Sequence, residues 1–457
     1  MAIAGKMGGC CRSNADVVKR WINDMNMLAK RVAFLLLAIA CFGAALLLFL
    51  PGLRESATST QRPLEPVRSD APAATDNRIR ADAAPSAPED AAARADWNTY
   101  HGDSALTGVT DTNLPDALEK AWETNVGESV EQPPVSASGR IFAATSKGGV
   151  IALDMGGKLL WRHEITPNVP EGQQPLPLHV DAPLACFVNM VLIGTDDGML
   201  TALQADTGQP LWQARIEGYV HGTPNYDEAS GSIIVLEQET GILTAIDPAT
   251  GGVRWRTDGV DRADGSPAVA AACAVYGSCA SALHVVSTKD GARLRDIKIE
   301  SGGGQVAGGV ALFQGMAHAG CRDGRVVQAD LEKGVLTWVQ PVSTSEVFST
   351  PAVRGEQVVV ASLDGNLHAL DLKTGAIQWK HEVGGEPGSP VIAGDKVLLS
   401  SDDTLFLVNL ADGTRRWELR MPGFITPPAV LPGLVVIGCE DGTITAFKPG
   451  AGPKKDS

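Results

Sequence analysis

The stretch that decides the fold is PAVRGEQVVVASLDGNLHALDLKTGAIQWKHEV, residues 351–383. Its segments QVVVAS, NLHALDL and AIQWKHEV are short, apolar and rich in β-branched residues, so each is predicted to form a β-strand. The Asp-Gly pair between the first two favours a tight hairpin, because both central residues of such a turn adopt positive φ. The Thr-Gly pair before the tryptophan marks a second hairpin. The stretch is therefore predicted to be a small antiparallel sheet.

The same unit recurs along the chain. A weaker copy near Gly309 lacks the opening proline, and the other copies open at Pro134, Pro183, Pro224, Pro267, Pro390 and Pro428. Four strands in roughly 40 residues is typical of a β-propeller blade, and blades must stack because one blade cannot bury its own faces. The prediction is an all-β, eight-bladed propeller of four-stranded blades over residues 96–450, followed by a tail at 451–457.

Tryptophan marks the outer strand of most copies. Each stands four residues after a turn glycine, and the set is Trp161, Trp212, Trp255, Trp338, Trp379 and Trp417. We interpret these large side chains as spacers between adjacent blades. The copy at residues 290–297 carries Arg295 at the tryptophan position, and Leu294 beside it is the candidate to fill the space instead.

The two ends of the repeat array complement each other. The last copy stops before any tryptophan strand, and a lone tryptophan strand around Trp122 precedes the first copy. We expect this N-terminal strand to complete the last blade, which closes the ring without an open edge. Seven blades plus a stray strand is the alternative.

The residues before the propeller suggest a membrane anchor. Residues 32–50 carry no charge and as a helix would span about 28 Å, close to the hydrocarbon thickness of a bilayer. The leader at 1–31 is predominantly basic, so the positive-inside rule keeps it in the cytoplasm. We expect a single-pass signal anchor in the cytoplasmic membrane, a disordered tether at 51–95, and a periplasmic propeller. The alternatives are a cleaved signal and an outer-membrane lipoprotein attached through Cys41.

Acidic residues recur in the turn between the second and third strands of the copies. The formal net charge is −15, which disfavours nucleic acid and anionic lipid as partners. Propeller symmetry would place these turns on one face as an acidic annulus that binds a basic partner or cations. The alternative is local turn chemistry, which favours aspartate. The residues are Asp196, Asp197, Glu237, Glu239, Asp323, Asp364, Asp402, Asp403, Glu440 and Asp441.

A long connection follows the strand of Trp161. Its sequence TPNVPEGQQPLPLHVDAP exceeds the equivalent connections, and long propeller loops commonly carry recognition. Leu176 and Leu178 are candidates for a docking edge. A plain insertion without function is the alternative.

Cysteine and histidine offer no catalytic or metal-binding pattern. Five cysteines in the propeller cannot all pair internally, so free buried thiols are expected, although a pair between Cys279 and Cys321 is conceivable. The other three are Cys186, Cys273 and Cys439. His284 and His368 share one repeat position, and we interpret them as polar side chains on a half-exposed strand. No spacing suits zinc.

The segments GNLHALDLKTGAIQWKHEV and GMLTALQADTGQPLWQARI resemble the quinoprotein-type (PQQ-like) propeller repeat, and DWNTYHGDSALTG at 96–108 resembles the lead-in to such propellers. In size and blade count the chain is most similar to the BamB family, the propeller subunit of the machinery that inserts β-barrels into the bacterial outer membrane. The resemblance implies a monomeric, non-catalytic scaffold without a cofactor. Its partners would be envelope proteins, including a β-barrel assembly component.

The chain departs from the BamB family in its membrane attachment and from quinoprotein dehydrogenases in its lack of cofactor-binding residues. BamB proteins are normally outer-membrane lipoproteins, whereas this chain is predicted to carry a membrane helix and a tether. A quinoprotein-like oxidoreductase or ligand-binding sensor is the alternative function. Quinoprotein dehydrogenases are longer chains that hold the cofactor under a vicinal disulfide beside calcium. Here the Cys10 and Cys11 pair lies in the leader, and no residues match the calcium ligands.

Overall fold

A computed structural model describes residues 96–166, 178–216, 218–300 and 303–450, all as strands, turns and irregular segments. In this part of the chain no helix is long and apolar enough to cross a bilayer. Several predicted features lie outside the described residues: the leader at 1–31 with Cys10 and Cys11, the helix at 32–50 with Cys41, the tether at 51–95, Leu176, and the tail at 451–457.

The strands form eight sheets, each of which is one blade. Two strands precede the first repeat, β1 (Val109–Thr110) and β2 (Leu118–Asn125). Blade 1 comprises β3 (Val135–Ala137), β4 (Arg140–Ala144), β5 (Gly149–Asp154) and β6 (Leu159–Glu164). Blade 2 comprises β7 (Ala185–Phe187), β8 (Met190–Gly194), β9 (Met199–Gln204) and β10 (Pro210–Arg215). Blade 3 comprises β11 (Asn225–Asp227), β12 (Ser232–Leu236), β13 (Leu243–Ile246) and β14 (Val253–Arg256). Blade 4 comprises β15 (Ala268–Ala270), β16 (Cys273–Ser278), β17 (Ala282–Ser287) and β18 (Arg293–Lys298).

The second half repeats the pattern. Blade 5 comprises β19 (Ala311–Phe313), β20 (Met316–Gly320), β21 (Arg325–Asp330) and β22 (Val335–Pro341). Blade 6 comprises β23 (Ala352–Arg354), β24 (Gln357–Ser362), β25 (Asn366–Asp371) and β26 (Ile377–Glu382). Blade 7 comprises β27 (Val391–Ala393), β28 (Lys396–Ser401), β29 (Thr404–Asn409) and β30 (Arg415–Arg420). Blade 8 contains β31 (Ala429–Leu431), β32 (Leu434–Gly438) and β33 (Thr443–Pro449). The predicted all-β, eight-bladed propeller is confirmed.

Each repeat folds as an antiparallel meander, in which consecutive strands are hydrogen-bonded neighbours. The second and third strands are buried on both faces, as β24 and β25 show, because a blade is packed between two neighbours. The fourth strand alternates buried and exposed residues, and Trp379 is the buried residue of β26. The core is therefore a set of apolar layers between blades rather than one central cluster.

The two strands before the first repeat join the last two blades. β2 pairs antiparallel with β33, with Trp122 opposite Ala446, so blade 8 has the order β2-β33-β32-β31. β1 pairs in parallel with β27, which gives blade 7 a fifth strand that the repeat pattern did not predict. The first strand of blade 1, β3, contacts the first strand of blade 8, β31. The first and last blades are therefore neighbours.

Residues 96–110, here called the lead-in segment, run along the first strands of successive blades. Backbone N–H groups of six blades donate to its carbonyl oxygens, including Ser136 N to Trp97 O in blade 1 at 2.8 Å, and its own Trp97 N–H donates to Ser136 O at 2.9 Å. The bonds to the later blades are Cys186 N to Asn98 O (2.7 Å), Val269 N to Ser104 O (2.7 Å), Leu312 N to Ala105 O (2.8 Å), Val353 N to Thr107 O (2.9 Å) and Ile392 N to Gly108 O (2.8 Å). In blade 3, the Asn225 side-chain amide donates to Ser104 O at 2.7 Å.

Candidate interaction surfaces

The ten acidic residues singled out in the sequence all lie in turns between the second and third strands. The turn in blade 2 holds Asp196 and Asp197, and that in blade 3 holds Glu237 and Glu239. In blades 5 to 8 the equivalent turns hold Asp323, Asp364, Asp402, Asp403, Glu440 and Asp441. Because the blades repeat, these turns share one face with the connections between blades. We call this the connection face.

Most of these carboxylates also stabilise their own turns. Asp197 accepts a hydrogen bond from Thr195 Oγ1 at 2.5 Å, and Asp441 accepts one from the Thr443 N–H at 2.9 Å. Asp403 accepts from Arg420 Nε at 2.7 Å, and this bond holds the pKa of the Asp403 carboxyl below its usual range. Local turn chemistry therefore accounts for part of the acidic pattern.

Within the described residues, three acids of the connection face keep oxygen atoms that form no hydrogen bond. Glu239 and Glu440 are exposed. Glu237 is 1% exposed; it accepts from Thr240 Oγ1 at 2.7 Å, and within the described residues its Oε1 atom has no hydrogen-bond partner. Among the described residues of these turns and connections, lysine and arginine occur at Lys147, Arg262 and Arg322. The connection face is therefore strongly acidic.

Two of those basic residues are already neutralised. Asp264 accepts from Arg262 Nε at 2.8 Å and from Arg322 Nη2 at 3.1 Å. Arg322 also bonds Glu346 at 3.3 Å and lies over the Phe348 ring, 4.8 Å from its centroid. This network ties together the connections before blades 4 and 6 and the second turn of blade 5. It contributes no excess positive charge to the face.

Sequence reasoning missed two exposed aromatic side chains on the same face. Tyr219 is 47% exposed and Phe424 is 60% exposed. They occupy equivalent positions, because the Tyr219 carbonyl accepts from Gln238 N–H at 3.0 Å and the Phe424 carbonyl accepts from Glu440 N–H at 2.9 Å. The signal was present as the matching tripeptides GYV and GFI in two connections. Exposed aromatic groups among carboxylates are suited to contact with basic side chains.

The long connection after blade 1 contains a buried leucine. Leu178 is 7% exposed and belongs to the apolar layer of Ile165, Val150 and Val191 between blades 1 and 2. In the structure this side chain is therefore part of the core rather than of an exposed docking edge. Leu176 lies outside the described residues.

The blade tryptophans bridge neighbouring blades. The Trp161 indole N–H donates to the Ala205 carbonyl of blade 2 at 3.0 Å, and a β-carbon on Gly208 of that blade would lie 2.6 Å from the indole ring. Trp122, Trp212, Trp255, Trp338 and Trp379 make equivalent contacts. Trp417 packs edge-on against Phe447, with ring centroids 6.1 Å apart.

In blade 4, Arg295 takes the place of the tryptophan at the contact with the next blade. Arg295 donates from Nη1 to the Glu332 carbonyl, and its guanidinium lies against Gly334. Leu294 is 44% exposed, so the expectation that it fills the tryptophan space is wrong. Its side chain lies on the outer surface because neighbouring residues of a strand point to opposite faces.

The five propeller cysteines are free, and no pair between Cys279 and Cys321 forms. Burial raises the pKa of the Cys186 and Cys321 thiols to about 12, which disfavours the reactive thiolate. Cys273 and Cys279 are half-buried and Cys439 is buried. In the described part of the chain no group of three or more His, Cys, Asp or Glu residues could hold a metal ion.

His284 and His368 are 2% and 0% exposed, so their interpretation as residues of a half-exposed strand is wrong. The third strand of each blade is enclosed by both neighbouring blades. His284 bonds Ser278 Oγ at 2.8 Å and Asp296 at 2.6 Å. This serine, histidine and aspartate chain resembles a catalytic arrangement, but Ser278 is 0% exposed and offers no nucleophile to a substrate.

Comparison with known proteins matches the chain to one family model. That model is described as outer membrane protein assembly factor BamB, and it matches residues 119–216, 155–307 and 281–424. The outer membrane protein assembly factor BamB of Yersinia pestis is 26% identical over 71% of this chain and 76% of its own length. Crystal structures of similar fold include BamB from Moraxella catarrhalis, with a TM-score of 0.62 at 18% identity, covering 73% of this chain and 100% of that one. The quinohemoprotein alcohol dehydrogenase from Comamonas testosteroni gives a TM-score of 0.65 at 15% identity, covering 79% of this chain and 82% of that one.

Proposed function

Because the chain belongs to the family of the outer membrane protein assembly factor BamB, we propose that it is a non-catalytic, extracytoplasmic scaffold in the assembly of outer-membrane proteins. A rigid ring with turns and connections on two faces suits the binding of other protein domains. Membership of this family supports a role in the assembly of outer-membrane proteins. The residues exposed on the connection face support binding of a partner through that face.

The observation that carries this proposal is the combination of exposed aromatic residues and unneutralised acids on the connection face. Tyr219 and Phe424 supply apolar contact area, and aromatic groups of this kind dominate the energetics of many interfaces. Glu239 and Glu440 lie in the neighbouring turns, each between the second and third strands of its blade. The acidic field would steer a basic partner toward the face and speed its association.

The proposal extends to the anchoring and closure of the propeller. Residues 32–50 would hold the chain in the cytoplasmic membrane with the propeller in the periplasm, or Cys41 would carry a lipid instead. The pairing of β2 with β33 supports closure of a monomeric ring by the N-terminal strand. The long connection that contains Leu176 would add a second docking element, whereas Leu178 anchors its described end in the core between blades 1 and 2.

Site-directed crosslinking in native membranes tests the scaffold. A photo-crosslinking amino acid at Phe424 is expected to capture a component of the β-barrel assembly machinery, identified by mass spectrometry. Val335, which is 50% exposed and begins the outer strand of blade 5 next to a turn on the opposite face, provides the matched control position. Absence of any β-barrel assembly component at Phe424, or equal capture at Val335, would contradict docking through the connection face.

A further inference from the structure

The face opposite the connection face contains two adjoining cavities of about 520 and 250 Å³. Phe187 of blade 2 and Tyr226 and Glu228 of blade 3 line both of them, so we describe the two cavities as one groove. The lead-in segment forms one wall of the groove, and the first turns of blades 1 to 4 form the other. None of the lining residues belongs to the connection face, so the groove is a separate site.

Two of these first turns place apolar side chains at the edge of the groove. In the six other blades the first turn contains a glycine with positive φ, whereas blade 2 has Val188 and Asn189 there and blade 4 has Ala271 and Ala272. A β-branched residue rarely adopts positive φ, yet Val188 has a φ of 52° and is 59% exposed. A segment that covers the groove would contact this exposed side chain.

The lining of the groove is acidic. Asp96, Asp103, Asp227 and Glu228 belong to it, and no lysine, arginine or histidine does so among the described residues. Glu228 is exposed and forms no hydrogen bond or ion pair in the described part of the chain. Asp96 accepts a single hydrogen bond there, from Ser138 N–H at 3.1 Å. A segment that covers the groove therefore needs a basic side chain.

An aromatic pair, Phe187 and Tyr226, lies in the same lining. Their rings are stacked, with centroids 5.7 Å apart at an angle of 28°. A planar guanidinium group stacks on aromatic faces, whereas an ammonium group is more strongly hydrated. The combination of aromatic faces and carboxylates therefore favours arginine as the basic side chain.

The described part of the chain begins at this groove. Its first residue, Asp96, lines both cavities. The residues before it, 87–95, have the sequence APEDAAARA, which places Arg94 two positions before Asp96. Because consecutive Cα atoms are 3.8 Å apart, covalent geometry keeps the Arg94 Cα within about 8 Å of the Asp96 Cα. The groove and an arginine that suits it are therefore adjacent in the chain.

We propose that residues 91–95, the end of the tether, cover this groove. The Arg94 guanidinium group lies between the Glu228 carboxylate and the aromatic pair, and the three alanines before it pack against Val188. A basic segment of another protein has the same chemistry, but it must displace a side chain whose attachment gives it a millimolar effective concentration. The tether is therefore the occupant that the groove favours.

Docking of residues 91–95 fixes the point at which the tether leaves the propeller. That point lies on the face opposite the connection face, so the connection face stays free for a partner. The inference goes beyond the scaffold function and does not depend on it, because the docked segment belongs to the chain itself.

Trypsin cleavage of the full chain in detergent tests the docking. The tripeptide Arg-Ala-Asp occurs at 80–82 and again at 94–96, so the two cleavage sites have the same local sequence. Cleavage after Arg94 is expected to be about tenfold slower than cleavage after Arg80, because trypsin requires the undocked segment. Mass spectrometry of the products measures both rates. Equal rates at the two sites would overturn the proposal.

Matched variants separate docking from simple proximity to the propeller. Glu228→Gln is expected to raise cleavage after Arg94 about threefold relative to Arg80, which is the size of effect that one exposed ion pair gives. Glu239→Gln, an exposed change on the connection face, should leave the ratio unchanged. Equal melting temperatures would show that both variants are folded. An unchanged ratio in Glu228→Gln would mean that the propeller only hinders the protease, and it would overturn the proposal.

A photo-crosslinking amino acid at Val188 identifies the occupant of the groove. In a mixture of nitrogen-14 and nitrogen-15 chains, mass spectrometry is expected to find crosslinks from position 188 to residues 81–95 of the same chain. Val335, which is 50% exposed, is the control position and should capture no residue of the tether. Crosslinks between differently labelled chains, or capture of another protein in place of the tether, would overturn the assignment. Because this readout needs no partner, its failure is distinguishable from a failure of crosslinking at Phe424.

Discussion

The guanidinium group of Arg295 lies against Gly334 of the next blade, where six of the other blade interfaces in the described residues place a tryptophan ring on a turn glycine. Arg295 Nη1 also donates to the Glu332 carbonyl of the next blade. At the tryptophan interfaces the indole N–H donates to a carbonyl of the next blade in the same way, as Trp255 does to Thr288. Arginine therefore reproduces the polar contact and part of the packing. It buries less apolar area than an indole, because its charged head must remain near water.

Arg295→Trp is expected to stabilise the propeller. The indole would bury more apolar surface against Gly334 and keep a donor for the Glu332 carbonyl, for a gain of about 1 kcal/mol. Urea denaturation monitored by circular dichroism would measure it as a higher midpoint at an unchanged slope. Leu294→Trp, at the exposed neighbouring position, is the control and should give no gain. A midpoint for Arg295→Trp at or below that of the parent chain would contradict the assignment of Arg295 to the tryptophan position.

Gly208→Ala is expected to destabilise the interface between blades 1 and 2. Gly208 has a φ of 70°, and a β-carbon there would lie 2.6 Å from the Trp161 ring. Gly139 is a matched control, because its φ is 72° but no atom lies within 4 Å of a β-carbon. Both variants pay about 1–2 kcal/mol for the left-handed backbone, and Gly208→Ala should lose about 1–3 kcal/mol more through overpacking. Equal unfolding midpoints for the two variants would show that the indole contact carries no constraint.

The repeat pattern predicted the fold because its signals are local. Strand alternation, Asp-Gly turns and tryptophan spacing all lie within one unit, and each unit repeats the same physical requirements. The short strand β1 and the path of the lead-in segment were not predicted. Their bonds, such as Ile392 N–H to Gly108 O, join residues far apart in the chain, and the segment has no periodic pattern.

The candidate sites were predicted less completely than the fold. The sequence predicted that the acidic residues share one face, because equivalent turns of a repeated blade lie on the same side of the ring. Sequence could not show that Leu178 is buried, because its burial depends on the space between two blades. The half-exposed interpretation of His368 failed for the same reason, as alternation within one strand gives no information about the neighbouring blade. Exposure of Tyr219 and Phe424 likewise depends on how the connections lie on the ring.

Stability is expected to fall as the pH drops from about 6.5 toward 4. Burial, followed by the charge of Lys380, lowers the pKa of His368 to about 4, and burial lowers that of His318 to about 4. Between these values and the ordinary histidine pKa of about 6.5, the unfolded chain binds protons that the folded chain does not. Protonation therefore favours unfolding as the pH decreases through this window.

His368→Thr measures one part of this effect. Other blades carry Thr201, Thr244 and Thr445 at the equivalent position, so the replacement is compatible with the blade core. The difference in unfolding free energy between pH 7.5 and pH 5 is expected to be smaller in His368→Thr than in the parent chain. His163→Thr, at a half-buried position on β6, controls for the loss of a histidine. An unchanged pH dependence in His368→Thr would mean that this imidazole does not remain neutral in the fold.

Reversal of charge on the connection face is expected to slow binding of the partner. Glu239→Lys with Glu440→Lys weakens the acidic field near Tyr219 and Phe424, so the association rate should fall by about tenfold at low salt, while the dissociation rate changes less. The difference should shrink as salt rises above about 0.15 M, because screening shortens the range of the field. Surface plasmon resonance with the partner that crosslinking identifies would measure both rates.

Glu332→Lys is the control for this charge reversal. It is an exposed change in a turn of the opposite face, has the same sign of charge change, and should leave the association rate nearer to that of the parent chain. Equal slowing by Glu332→Lys would mean that net charge, rather than the connection face, controls association.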